Sequence, residues 1–307
     1  MRKSLAALAI LATLATAACE PLSRQPTKTG KCPPCPPPPE PEHQAAVVGT
    51  IGKMHMVESR YPLSKLGEVL ASFKPDLVLI AVRVDPFRAH QLEDASFEMT
   101  YVHHLARQRG ISVEPVDWFR EEDFGAAPPP AEPWDVSEIA KREADVLAQP
   151  RLFTFDQANG AELEQRVLLA LAAEARHRGG NPVAARRQGW LQQLTASAVA
   201  RHERPKRVLA YVDVFDRPVV DMALHAVGYA TKPPLDIQAA AKEAMIDGVP
   251  PDVIAELKSQ LERARARAEK AKGPEKAFWA DRERVLDVVV EKRASCCVTQ
   301  TALTAPR

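Results

Sequence analysis

The chain carries no surplus of either charge. Its 41 Lys and Arg face 40 Asp and Glu over 307 residues, and without Arg2 and Lys3 the count is 39 to 40. A near-neutral protein has no field that draws it to nucleic acid or acidic lipid, so no nucleic-acid partner is expected. No Walker loop, HExxH, GxSxG or GxGxxG occurs. Phosphate-loop, zincin, α/β-hydrolase and dinucleotide-fold mechanisms therefore lack their usual residues. No internal repeat occurs, and no apolar run reaches the about 20 residues of an ordinary membrane-spanning helix. Apolar and charged fractions are ordinary for a globular protein, and the length allows a sizeable core. What is abundant is proline, at 27 residues. Many fall in two short stretches, which marks linkers.

The first residues have the grammar of an export signal. Met1-Arg2-Lys3 is basic, and Ser4 to Ala18 is nearly all Ala, Leu and Ile. That is an n-region followed by an h-region. The run ends Leu14-Ala15-Thr16-Ala17-Ala18-Cys19. Small residues before a cysteine resemble the lipobox of bacterial lipoproteins, which implies acylation of Cys19 and a membrane partner through the lipid. Thr16 departs from the usual Leu or Val, so cleavage after Ala18 without acylation, and an uncleaved anchor, stay open. Glu20 after the cysteine fits sorting to the outer membrane, facing the periplasm.

Residues 19–44 read as a tether. Cys32-Pro-Pro-Cys35 and four further prolines favour polyproline II, a stiff spacer of about 3.1 Å per residue. Prolines around the CxxC argue against a redox motif, which belongs at a helix start. Cys296 and Cys297 are adjacent near the tail. A local disulfide, loose thiols, a tether-to-tail disulfide and a four-cysteine zinc site all stay open, and vicinal cysteines suit the last one poorly.

The remainder alternates strands and helices. Ala45–Ile51, Leu77–Val84, Ile111–Val116 and Arg207–Val212 are short, continuous apolar runs, the pattern of strands buried on both faces. Helices are expected over Leu63–Phe73, Phe97–Arg109, Val136–Leu147, Gly160–Arg176, Pro182–His202, Pro218–Ala226 and Glu256–Lys272. Pro182 follows Asn181 as a first helical position after an N-cap. The predicted fold is α/β: a mostly parallel sheet with flanking helices, a helical insertion before the last core strand, and a helical C-terminal region. The implied organisation is a signal over 1–18, a lipidated Cys19 and tether over 19–44, an α/β domain over 45–230 with an insertion near 134–203, and a helical extension over 231–307. The charged helix Glu256–Lys272 reads as a solvated face, or as an arm for an envelope partner.

Ligands of open parallel sheets lie beyond the carboxyl ends of strands. There the sequence places Thr50 and His55, then Arg83, then Asp117, then Asp213 and Asp216, with Arg186 and Arg187 on the insertion helix within reach. His55 and Asp117 are the candidate catalytic pair. His55, Asp213 and Asp216 are candidate ligands for a divalent metal, and Thr50, Arg83, Arg186, Arg187, Asp213 and Asp216 are candidate binding residues. Each also has a plain structural role open to it: His55 in a loop, Asp117 as a loop acceptor, Asp216 as the N-cap before Pro218. His103 and His104 are adjacent on a helix and face different sides.

The order of pieces resembles the TraB/PrgY, TIKI and ChaN-like group of α/β proteins. It is carried by "VVGTI" with the following His55, by "FKPDLVLIAV", by "FEMTYVHHLARQRGISVEPVDWF", and by an arginine-bearing helix before "RVLAYVDVFDRPVVDMALHAVGY". It covers about Val47 to Tyr229. The resemblance implies metal-dependent peptidases, haem binders or esterases among possible relatives. It also implies a histidine after the first strand, an acid ending the second, an arginine on the helix, and a late histidine. Here Gly52 stands at the first of these, Arg83 at the second and Asp213-Val214-Phe215-Asp216 at the last. A catalytic metal needs about three ligands and an open position. A permanent cation such as Arg83 opposes it. Two readings follow: a rewired, non-catalytic domain that binds a ligand or protein, or a divergent metal-dependent hydrolase. A third is a structural lipoprotein that holds an envelope partner through its charged C-terminal helix.

Overall fold

The computed structural model describes residues 41–56, 58–120, 152–176, 182–237 and 249–303. The signal segment, Cys19, Cys32, Cys35, the Ala126–Pro133 break, the Val136–Leu147 helix and Asn181 lie outside them. Among the described residues no helix is long and apolar enough to cross a membrane.

Five parallel strands form one sheet in the order β3-β2-β4-β1-β5. They are β1 (Gln44–Thr50), β2 (Leu77–Arg83), β3 (Ser112–Asp117), β4 (Arg207–Asp213) and β5 (Ala230–Thr231). The late strand β4 enters between β1 and β2, so the polypeptide between β3 and β4 returns to the middle of the sheet. Alternate residues of each strand serve opposite faces. Ala46, Val48, Val78, Ile80, Leu209 and Tyr211 enter one core, and Ala45, Val47, Leu77, Leu79, Val208 and Ala210 enter the other. Both sets are apolar, which is why the strands read as unbroken hydrophobic runs.

Helices α1 (Ser64–Phe73) and α3 (Phe97–Gln108) cover the first face. α1 stops because Lys74 turns left-handed at φ 51° and its N–H reaches Leu70 O at 3.1 Å. The short helices α2 (Val84–Arg88) and α4 (Phe155–Asn159) lie at strand ends, α4 closed by a Thr154–Gln157 capping box. α5 (Ala161–Arg176) follows directly. The second face is covered by α6 (Pro182–Arg201) and α7 (Arg217–Ala226), through Leu191, Ala198, Val199, Val219, Val220 and Leu224.

Helices α8 (Pro251–Lys270) and α9 (Gly273–Leu303) are packed into the first core, to which they contribute Val253, Leu257, Leu261, Phe278 and the fully buried Trp279. The described residues accordingly cluster as one compact unit. The charge of α8 is not all spent on solvent. Arg263 and Arg267 turn inward to Glu93 at 3.1 and 2.9 Å, and Arg265 reaches Glu283 and Asp287 of α9 at 3.1 and 2.7 Å.

Candidate functional site at the strand carboxyl ends

Strand register brings the chosen residues to one edge. Thr50 stands opposite Asp213, and Arg83 stands opposite Asp117 across a bulge. What each does there differs.

At the end of β1, close approach governs. The Gly49 N–H donates to Asn159 Oδ1 at 2.8 Å, and Gly49 O accepts from the Tyr61 hydroxyl at 2.8 Å. A Cβ on Gly49 would meet Ala158 O and Val214 Cα at 3.1 Å, so only glycine fits without movement. The Thr50 hydroxyl lies 3.0 Å from Glu98 Oε1 and 3.1 Å from Val212 O, two acceptors between which its one proton is shared by rotation. Gly52 follows at φ +59°, the left-handed region that glycine enters without steric cost. This gives a backbone reason for glycine at that turn.

His55 is buried in the turn Gly52–Met56. Its Nδ1 donates to Tyr61 O at 2.8 Å, and its Nε2 accepts the Ile51 N–H at 3.3 Å. The ring meets Tyr61 edge-on at 4.5 Å. Burial lowers its pKa, with Glu98 and the Tyr61 carbonyl pulling the other way. Both nitrogens are therefore engaged in holding the chain's own turn.

At the end of β2, Arg83 pairs with the buried Asp94. Its guanidinium stacks over Phe119 at 4.8 Å and reaches Phe119 O at 3.4 Å. Burial pushes the Asp94 carboxyl up, against the pull of Arg83 and Arg282.

At the ends of β3 and β4 a three-residue cluster forms. Arg187 Nε and Nη2 donate to Asp117 at 3.0 and 2.7 Å. Its Nη1 and Nη2 donate to Asp216 at 2.9 and 2.7 Å. One planar guanidinium thus clamps two carboxylates through all three of its nitrogens. Burial works against the charge, but Asp216 and Asp117 outweigh it and hold Arg187 charged. Asp117 also accepts the Trp118 N–H at 2.8 Å, and the Trp118 ring lies 5.3 Å from Trp190 of α6. Asp213 is not in this clamp. Its Oδ1 accepts the Phe215 N–H at 3.0 Å and shapes the turn into α7. Arg186 is exposed and makes none of these contacts. The Asp216 side chain bonds Arg187 and not the α7 backbone, so α7 starts without a side-chain cap.

Three acids that sequence reasoning did not single out lie under this edge. Glu93, Asp94 and Glu98 are each buried. They meet Arg263 and Arg267, Arg83, and Thr50 respectively. The stretch Leu92-Glu93-Asp94-Ala95-Ser96-Phe97-Glu98 offered one signal, an acid-dense segment between β2 and an apolar helix. Arg217 was also missed. It binds Asn159 O, Gly160 O and Glu164 at 3.2, 3.1 and 2.6 Å and ties α4 and α5 to the start of α7.

These residues do not fit a divalent cation as arranged. The charge between Asp117 and Asp216 is already supplied by Arg187, and neither His55 nitrogen offers a free lone pair. No group of three His, Cys, Asp or Glu side chains among the described residues is placed to hold a metal ion. Comparison with family models, curated proteins and solved structures finds no match for the chain.

Proposed function

We propose that this chain is an envelope-anchored lipoprotein with a divergent TraB/TIKI-like domain that binds a ligand or a protein partner without catalysing a reaction. The export signal, the Cys19 lipobox and Glu20 support the address, an outer-membrane anchor facing the periplasm. The observation that carries the functional half is the Arg187 clamp. The two carboxylates best placed to serve a metal or a substrate proton are both engaged by one guanidinium that cannot give up its charge. The remaining candidate base, His55, is spent on the backbone of its own turn.

The test is a hydrolysis screen of the full chain on peptide and ester substrates, with zinc, manganese or cobalt supplied. The expected result is no turnover above buffer with any of the three. Turnover that requires a metal and disappears in His55→Ala or Asp117→Asn would overturn the proposal and restore the hydrolase reading.

A further inference from the structure

A second, roomy groove shares no lining residue with the Arg187 clamp. It runs beside the edge strand β3, between α2, α3 and the first turns of α8, and holds about 870 Å³. That lies within the range of small-molecule sites, about 300–1,000 Å³. Its apolar floor is Phe87, Leu92, Ile111, Val113 and Val253.

The charges on its walls are unequal in availability. Of its two acids, Glu256 accepts from Arg263 and Gln260 at 2.9 and 3.2 Å, while the exposed Asp252 accepts its neighbour's Val253 N–H at 3.2 Å and lies 3.1 Å from His104 Nε2, an ion pair only when that ring is protonated. Its two arginines, Arg88 and Arg107, are both exposed. Neither has a carboxylate partner among the described residues. His103, with its ring edge-on to Phe87 at 5.5 Å, is held neutral because burial and then Arg107 lower its pKa to about 4. The groove therefore offers apolar area and two guanidinium groups that have no carboxylate partner among the described residues, with Glu256 engaged by Arg263.

We infer that this groove binds a long-chain carboxylate, its alkyl chain laid on the apolar floor and its head group paired with Arg88 and Arg107. The chain gains from leaving water in proportion to the area it buries, and a guanidinium is the planar, permanently charged partner that matches a carboxylate. An uncharged alkyl chain would leave both cations unused, and a small anion would leave the apolar floor wet. The inference stands on the groove alone, so its failure would leave the non-catalytic reading of the strand-end cluster untouched.

The test is titration calorimetry of laurate into the full chain carrying Cys19→Ser, which bears no acyl group of its own. Dodecanol and acetate serve as controls. One laurate is expected to bind per chain with Kd at or below ~10⁻⁴ M, with dodecanol at least tenfold weaker and acetate silent. The pair Arg88→Gln and Arg107→Gln, on exposed positions where folding is unaffected, should weaken laurate at least tenfold. Ile111→Trp, which fills the floor, should abolish binding while the melting profile stays that of a folded protein. No laurate binding at millimolar concentration overturns the inference. So does equal binding of dodecanol, or unchanged laurate affinity in the folded double arginine variant.

Discussion

A single guanidinium decides the character of the strand ends. Arg187 is about a quarter exposed, while Asp117 and Asp216 are nearly buried. Removing it leaves two close carboxylates without a counter-charge. Arg187→Ala should cost about 3 kcal/mol, the low end for breaking a buried pair. Asp117→Asn should cost less, because Asp216 still neutralises the arginine. Urea unfolding of both variants checks the order, and a larger loss in Asp117→Asn would contradict it. Gly49→Ala is a second prediction at this scale. The added methyl meets backbone at 3.1 Å on two sides, and overpacking of this kind costs about 1–3 kcal/mol. A melting temperature unchanged from the parent would count against the close approach. Legibility was uneven here. Asp117, Arg187 and Asp216 could be named because topology sends strand ends to one edge. Their mutual pairing could not, since 70 and 29 residues separate the partners from Arg187. The acid-dense run Glu93, Asp94 and Glu98 was visible in the sequence but its burial was not, because acids in a loop and the first turn of a helix are ordinarily solvated.

Among the elements, the four long strands stand within a residue or so of their apolar runs, since a strand buried on both faces must be apolar throughout. β5 has two residues, too few to leave a pattern. The helix α9 had no clear apolar period to announce it, yet it carries Trp279, fully buried under Arg267 at 4.6 Å. Helices α8 and α9 therefore hold the first core closed. Trp279→Ala should cost about 3–5 kcal/mol, read as a lowered urea midpoint for the whole domain. A separate early transition, with the sheet unfolding unchanged, would show instead that the two helices form an independent layer. The Glu93 contacts to Arg263 and Arg267 tie α8 to the loop before α3. A charged helix read from sequence as a solvated face thus has one inward, load-sharing side.

For the whole molecule, the α/β class followed from alternating elements, but the strand order did not. That β4 inserts between β1 and β2 depends on packing between distant segments, which no local period records. Global stability should also carry a pH signature. His55 and His103 are both held neutral, the latter down to about 4. Their folded pKa values lie below the unfolded value near 6.5, so the unfolded chain binds more protons as the pH falls below that point. The stability they contribute is complete above pH 6.5 and is lost downward, for His103 until about pH 4. The groups facing His103 are Arg107, Glu256, His104 and His90, and only Glu256 favours its charged form. His103→Asn should flatten the decline of the urea midpoint between pH 6.5 and 4, and an unchanged slope would contradict the assignment.

The most direct measurement is the metal stoichiometry of the full chain, by elemental analysis and by calorimetry with zinc, manganese and cobalt. With Arg187 seated between Asp117 and Asp216, the expected result is no bound metal at the strand ends and no difference between the parent and Asp216→Asn. One tightly held ion per chain, lost in Asp117→Asn or Asp216→Asn, would mean that the guanidinium yields its place and that the domain keeps a metal centre.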